Sequence, residues 1–326
     1  MLVDQHGREV NYLRLAVTDR CNLRCFYCMP AEGIDFLSKK DLLSFEEMLR
    51  ICELLVKQGV RKIRITGGEP FIRKDLIYFL RDLVKIPQLE ELHLTTNGTL
   101  STDIVCQLKE LGISSVNLSL DTLDRERFLA ITRRDLLPKV MGTLDALIEQ
   151  GITTKINAVV MAAHNIADII PLVELAQEKP IDIRFIEEMP FNGSERDSLE
   201  HWNHVRILHH IRAAFPTVQK VTDPAYSTSA NYEIPGFQGK VGIIAAYSRT
   251  FCGTCNRIRL TPKGILKTCL YDKGTFSLRD LMRAGATDLQ LLTSVKEAIG
   301  LKAVDGFAAE ANRSNAITES MASIGG

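Results

Sequence analysis

Three cysteines fall within eight residues, Cys21-Asn22-Leu23-Arg24-Cys25-Phe26-Tyr27-Cys28. An odd set this close is no disulfide framework, because a bridge between such near neighbours is strained. It reads as three soft ligands on one inorganic centre. Three thiolates can hold three irons of a four-iron, four-sulfur cubane and leave the fourth iron open to a small molecule bound through nitrogen and oxygen. A structural zinc site would need a fourth ligand, and the nearest histidines in sequence are His6 and His93.

A second odd triad, Cys252-Gly253-Thr254-Cys255 with Cys269, follows late in the chain. A lone C-x2-C is often a zinc knuckle or a redox pair. Here no suitable fourth ligand follows Cys269, which again favours a cubane with one open iron. The two remaining cysteines, Cys52 and Cys106, fall on the apolar faces of predicted helices and are expected in the core.

Cations mark the third feature. Lys62 and Arg64 alternate with Ile63 and Ile65, so they share one face of a strand. Arg14, Lys155 and Arg184 likewise interrupt apolar strands, and Arg257 and Arg259 follow the second cysteine pair. Parallel strands covered on both faces read as near-continuous apolar runs, and an unpaired buried cation costs several kcal/mol. One or two of the seven can pair with carboxylates such as Glu187 or Glu188, or extend outward at strand ends. The whole set calls for a polyanion, and guanidinium groups suit bidentate phosphate contacts.

These groups must be positioned by regular elements. Strands are expected at Tyr12–Val17, Lys62–Thr66, Leu92–Thr95, Val116–Leu120, Thr154–Val160 and Ile181–Ile186, with helices between them. Ser44-x-x-Glu47 is a capping box opening the first helix. Six strands alternating with helices imply a parallel sheet with right-handed crossovers, either doubly wound or a partial barrel. In both, the site lies at the C-terminal strand ends. The first cysteine loop, Gly67-Gly68-Glu69-Pro70, Thr95-Thr96-Asn97 and Ser119-Leu120-Asp121 all fall there. Phe191 to Glu200 reads as a polar loop, His204 to Phe215 as one more helix, and the chain from Val221 as short β segments and loops. The boundary is set near residue 220, with one unit over 1–220 and a smaller one over 221–326. The histidines His93, His164, His201, His204, His209 and His210 form no ligand set and read mostly as surface residues.

The 326 residues carry 40 basic and 40 acidic side chains. That balance argues against a nucleic-acid or membrane-surface partner. No apolar run approaches the ~20 residues of a membrane span, and Met1 to Asn11 has no signal-peptide core. The expected location is a reducing cytoplasm, where clustered thiols mean metal or catalysis.

The first motif, with Tyr27 before Cys28, resembles that of the radical S-adenosylmethionine enzymes. Leu13-Arg14-Leu15, Thr18-Asp19-Arg20-Cys21-Asn22 and Cys28-Met29-Pro30, then Cys252-x2-Cys255-Asn256-Arg257-Ile258-Arg259 and the terminal Gly325-Gly326, resemble the GTP 3',8-cyclase family. The resemblance implies an α/β fold, an incomplete (βα)6 barrel of the TIM type, with a smaller C-terminal α+β domain closing its open side. It also implies a lyase with two [4Fe-4S] clusters, on Cys21, Cys25 and Cys28 and on Cys252, Cys255 and Cys269. S-adenosylmethionine would be held by Tyr27, Gly68, Ser119 and Met189. GTP would be held by Arg14, Arg64, Thr95, Lys155, Arg257, Ile258 and Arg259, with Lys62 and Arg184 as further substrate contacts. At Gly68 a ligand's methionine end would approach the backbone closely. The Gly325-Gly326 tail would reach towards the active site.

The implied reaction begins with a 5'-deoxyadenosyl radical that takes hydrogen from the ribose of GTP. The ribose carbon then attacks C8 of guanine, in the first step of molybdenum cofactor biosynthesis. The product would pass to the cyclic pyranopterin monophosphate synthase; the electron donor is unspecified, and a homodimer is compatible with the chain. A radical enzyme of another class, such as a peptide maturase, and a non-enzymatic zinc-binding module are the competing readings.

Overall fold

The computed structural model describes residues 1–189, 191, 202–313 and 319–325. Strand β1 (Tyr12–Ala16) leads into the first cysteine loop, and helix α1 (Phe45–Lys57) follows. The capping box is formed: the Glu47 amide donates to Ser44 Oγ at 3.1 Å, and the Ser44 amide donates to the Glu47 carboxylate at 2.7 Å. Then come β2 (Lys62–Thr66), α2 (Leu76–Leu83), β3 (Glu91–Thr96), α3 (Val105–Glu110) and β4 (Ser115–Ser119). Two helices, α4 (Arg125–Thr132) and α5 (Leu137–Glu149), precede β5 (Thr154–Val160). Helix α6 (Ile169–Glu178) and β6 (Ile181–Glu187) complete six β/α units, and α7 (His204–Ala214) follows.

The later chain adds strands β7 (Gln219–Lys220), β8 (Ala230–Glu233), β9 (Val241–Ile244), β10 (Arg257–Leu260), β11 (Ile265–Lys267) and β12 (Phe276–Ser277). It also adds four helices, α8 (Leu278–Arg283), α9 (Asp288–Gly300), α10 (Gly306–Ala311) and α11 (Met321–Ile324). A reading of this region as short β segments and loops therefore misses helical content. Thr287 and Gln290 form a capping box on α9, and Leu291, Val295, Ala298 and Ile299 supply its buried stripe.

Among the described residues the strands form a single sheet, in the order β12-β11-β10-β1-β2-β3-β4-β5-β6-β9-β8-β7. Strands β1 to β6 are parallel throughout. This is the α/β architecture of an incomplete barrel, with later strands extending both edges. Strand β10 joins β1 in parallel and β9 joins β6 in parallel.

Alternation along the strands sorts the side chains. Leu13, Leu15, Ile63, Ile65, Leu92 and Leu94 pack in one core with residues of α1 and α2. Leu118, Ile156, Ile183 and Phe185 pack in a second with residues of α5, α6 and α7. The helices take the apolar face of each strand, so the opposite face is left for polar groups. Of the two cysteines expected in the core, Cys52 is buried but Cys106 is exposed, because Val105 and Leu108 supply the inward face of α3. His93 is not a surface residue; it is buried, with its ring nitrogens 2.6 Å from Ser115 Oγ and from the Glu91 carboxylate.

Candidate active site

A cavity of about 740 Å³ occupies the polar face of the sheet, a volume usual for a small-molecule site. All six clustered cysteines line it, one triad reaching it from the loop after β1 and the other from around β10. The strand register explains the convergence. Arg14 of β1 lies between Arg64 of β2 and Arg259 of β10, and Tyr12 lies between Lys62 and Arg257. Thr95, Asn117 and Lys155 form a second row across β3, β4 and β5, and Ser119, Asn157 and Arg184 a third across β4, β5 and β6.

The first triad is half-buried in the cavity wall, and burial is the largest influence on each of its thiols. Burial, with the Glu69 carboxylate nearby, pushes the Cys21 thiol up to about 12. Burial pushes Cys28 up to about 11 and Cys25 well above the usual thiol range. What fits an iron–sulfur cluster is the donor set itself, three cysteine sulfurs brought to one cavity wall by a single short loop. Asn97 Nδ2 donates to Cys21 Sγ at 3.7 Å, Ser320 Oγ donates to the Cys28 carbonyl at 2.7 Å, and the Ala322 amide donates to the Cys28 thiol.

The second triad differs. Burial raises Cys252 and Cys269. At Cys255 burial is outweighed by Arg257 and Lys302, which bring its thiol down to about 6. Among the described residues no three His, Cys, Asp or Glu side chains converge as ligands of a single ion would. A cubane places each thiolate on a different iron, so the spread of either triad is compatible with cluster ligation.

Among the described residues Lys62 pairs with Glu91 at 2.8 Å and Lys155 with Asp182 at 3.1 Å. Glu187 instead accepts from His204 and Ser248. Arg64 donates to Tyr12 Oη at 2.7 Å and to the Leu94 carbonyl at 2.8 Å. Burial and then Arg259 depress Arg14, while burial and then Arg257 bring Arg259 down to about 10. Burial raises the Tyr12 phenol, but Arg64 and Arg14 prevail and lower it to about 8. Mutual repulsion of this kind is relieved by an anion. Thr95 Oγ1, Asn117 Oδ1, Asn157 Oδ1 and Arg184 Nε are buried with no hydrogen-bond partner among the described residues, and their residues line the cavity.

Of the residues singled out in the sequence, Tyr27, Gly68, Ser119, Met189, Lys62, Arg64, Arg14, Thr95, Lys155, Arg184, Arg257 and Arg259 all line this cavity. Ile258 does not; alternation turns its side chain into the outer core. At Gly68 a Cβ would collide with the Arg20 carbonyl oxygen, so the packing of the cysteine loop by itself already requires a glycine there. Gly325 adopts φ +77°, where a Cβ would press on Thr66 and Ala16, and its carbonyl accepts from Arg259 at 2.6 Å. Gly326 lies outside the described residues, as do His201 and 192–200 of the expected polar loop.

A model of the Radical SAM superfamily matches residues 15–176, and one of the Molybdenum Cofactor Synthesis C family matches residues 181–307. The GTP 3',8-cyclase of Clostridium perfringens (strain 13 / Type A) is 41% identical over 297 residues, which cover 91% of each chain. The chain belongs to the GTP 3',8-cyclase family. Molybdenum cofactor biosynthesis protein 1 of Drosophila melanogaster is 42% identical over 302 residues, 92% of this chain and 54% of the relative. The chain thus spans about half the length of that relative. Among solved structures, Streptococcus suis SuiB bound to S-adenosylmethionine aligns with a TM-score of 0.65 at 16% identity, covering 87% of this chain and 67% of that one; this is a likeness of fold. Membership of the radical SAM superfamily brings S-adenosylmethionine and one [4Fe-4S] cluster as cofactors.

In this cyclase-family site Asn117 and Asn157 were not anticipated, whereas Asp121 and Glu69 were expected at the strand ends without an assigned role. Asn117 and Asn157 sit on the same strand faces as the cations, so a rule that counts uncharged polar residues would have found them. Asp121 accepts from the Tyr27 hydroxyl at 2.8 Å and from the Val159 amide at 2.8 Å. Burial outweighs both bonds and pushes its carboxyl up to about 6. Glu69 accepts from the amides of Asn97 and Phe71 and from Thr96 Oγ1, and burial still raises it to about 7.

Proposed function

We propose that this chain is a radical S-adenosylmethionine lyase, a GTP 3',8-cyclase. It would convert GTP to (8S)-3',8-cyclo-7,8-dihydroguanosine 5'-triphosphate in the first step of molybdenum cofactor biosynthesis. The observation that carries this reading is the cationic cavity lying between two cysteine triads. A triphosphate suits Arg14, Arg64 and Arg259, which otherwise repel one another. The nucleoside would then extend towards the cysteines.

Cys21, Cys25 and Cys28 would hold the first cluster, and Cys252, Cys255 and Cys269 a second [4Fe-4S] cluster. When bound, the first cluster and S-adenosylmethionine supply a one-electron source of the 5'-deoxyadenosyl radical. Tyr27, Gly68, Ser119 and Met189 would hold the S-adenosylmethionine, with Asp121 fixing the Tyr27 ring. Lys155, Thr95, Arg257, the Ile258 backbone, Lys62 and Arg184 would complete the GTP site. The Gly325-Gly326 tail would close it, since Gly325 already reaches Arg259. The protein's part is orientation and exclusion of water from the reacting atoms.

The reading extends to a cytoplasmic protein, composed of a barrel unit over 1–220 and a second unit over 221–326. A separate electron donor would serve it, and its product would pass to the cyclic pyranopterin monophosphate synthase. Sedimentation of the reconstituted protein would test a homodimer. The described residues contain no helix long and apolar enough to cross a membrane.

The test is an anaerobic assay of reconstituted protein with GTP, S-adenosylmethionine and dithionite, following 5'-deoxyadenosine and GTP together. Deoxyadenosine with GTP but not with ATP, and no GTP conversion by Cys21→Ala or Cys252→Ala, are the expected results. Deoxyadenosine without loss of GTP would mean a different substrate.

A further inference from the structure

Lys302 is nearly sealed from solvent, at 2% exposure, in the turn after α9. Its ammonium reaches the second cysteine triad. It donates to Cys255 Sγ at 3.8 Å, to the Arg257 carbonyl at 3.0 Å and to the Thr268 carbonyl. These acceptors belong to both arms of the triad: Cys255 and Arg257 on the way into β10, and Thr268 directly before Cys269. An ammonium offers three donors and no acceptor, so the three bonds use it completely. Among the described residues no carboxylate pairs with it. A cation buried in this way is costly unless a negative group lies against it, and the negative group within reach is the thiolate set.

We propose that Lys302 is a positioning residue that holds the two arms of the second triad together and raises the reduction potential of the cluster bound there. The inference rests on the reading of Cys252, Cys255 and Cys269 as cluster ligands. An N–H···S bond and a fixed positive charge both stabilise the more negative, reduced state of an iron–sulfur centre. Arg257 also donates to Cys255 Sγ, at 3.6 Å, but lines the cavity, whereas Lys302 does not. Lys302 therefore acts through the sulfur and the backbone without touching substrate.

The experiment uses the full chain carrying Cys21→Ala, Cys25→Ala and Cys28→Ala, so that only the second triad can hold iron. This parent and its Lys302→Met derivative are reconstituted anaerobically and titrated with dithionite under electron paramagnetic resonance. Iron loss to a chelator is timed alongside. The derivative should show a more negative midpoint potential and about tenfold faster iron loss. Lys302→Arg, which keeps the charge, should restore both towards the parent. Should Lys302→Met fail to fold, Lys302→Gln removes the charge and retains an N–H donor for the same comparison. Equal potentials and equal iron loss in parent and derivative would overturn the proposal. A parent that takes up no iron and sulfide would instead overturn the cluster reading, and the role of Lys302 with it.

Discussion

Glu69 makes the sharpest prediction about a single residue. Its carboxyl is raised by burial from an ordinary 4.5 to about 7. The folded state therefore keeps a proton that the unfolded chain gives up near pH 4.5. The stabilisation is complete below that pH and is lost as pH rises through 7. Thermal melts of the iron-free protein should show stability falling from about pH 4.5 to about pH 7. Glu69→Gln should flatten that slope, at a cost of about 1 kcal/mol for the accepted bond it loses. The cysteines permit a cruder test, because either Cys21→Ala or Cys252→Ala should bring the reconstituted iron from about eight to about four per chain. Of the site's residues, those legible in the sequence were the ones with local spacing: the two triads and the cations at alternate strand positions. Lys302 and Ser320 were not legible. They reach Cys255 and Cys28 from 47 and 292 residues away, and only the folded chain makes them neighbours.

Among the elements, the six strands β1 to β6 were readable because each carries an apolar face that helices cover. The cations in them, which look like errors in a buried strand, define the other face. Helix α9 was missed although Thr287-x-x-Gln290 announces its start and Leu291, Val295, Ala298 and Ile299 follow at helical spacing. Thr287→Ala should cost about 1 kcal/mol in chemical denaturation, the usual value of an N-cap. Gly68 offers a harsher test. A Cβ would collide with the Arg20 carbonyl backbone, and no side chain is there to move aside. Gly68→Ala should displace the first cysteine loop and impair cluster reconstitution, measured as iron-to-protein ratio, while the far-UV spectrum changes little. The Gly68-Glu69 turn is held on that loop by two amides, donating to Thr18 and Arg20 at 2.9 and 2.8 Å. The chain's own packing is one reason for this glycine, and it depends on a contact with Arg20 that sequence spacing does not display.

On the scale of the whole molecule, the sequence did not show that β9 and β10 would join β6 and β1 in parallel, since each partner lies far away along the chain. Arg8 illustrates the same long-range ties. It pairs with Asp4 at 2.6 Å and donates to the carbonyls of Cys252, Ala303 and Val304, linking the first residues to the second triad. Removing it leaves the Asp4 carboxylate buried and unpaired, so Arg8→Ala should cost about 3 kcal/mol, readable in urea titration. The seam between β1 and β10 has a further consequence, which concerns the order of events in synthesis. Strand β2 can pair with β1 early, but the other edge of β1 waits about 245 residues for β10. Contacts so distant in sequence form slowly, and an open strand edge invites pairing with another chain. A growing polypeptide of this kind thus carries β1 half-satisfied until β10 emerges about 245 residues later, and is most vulnerable to aggregation in that interval.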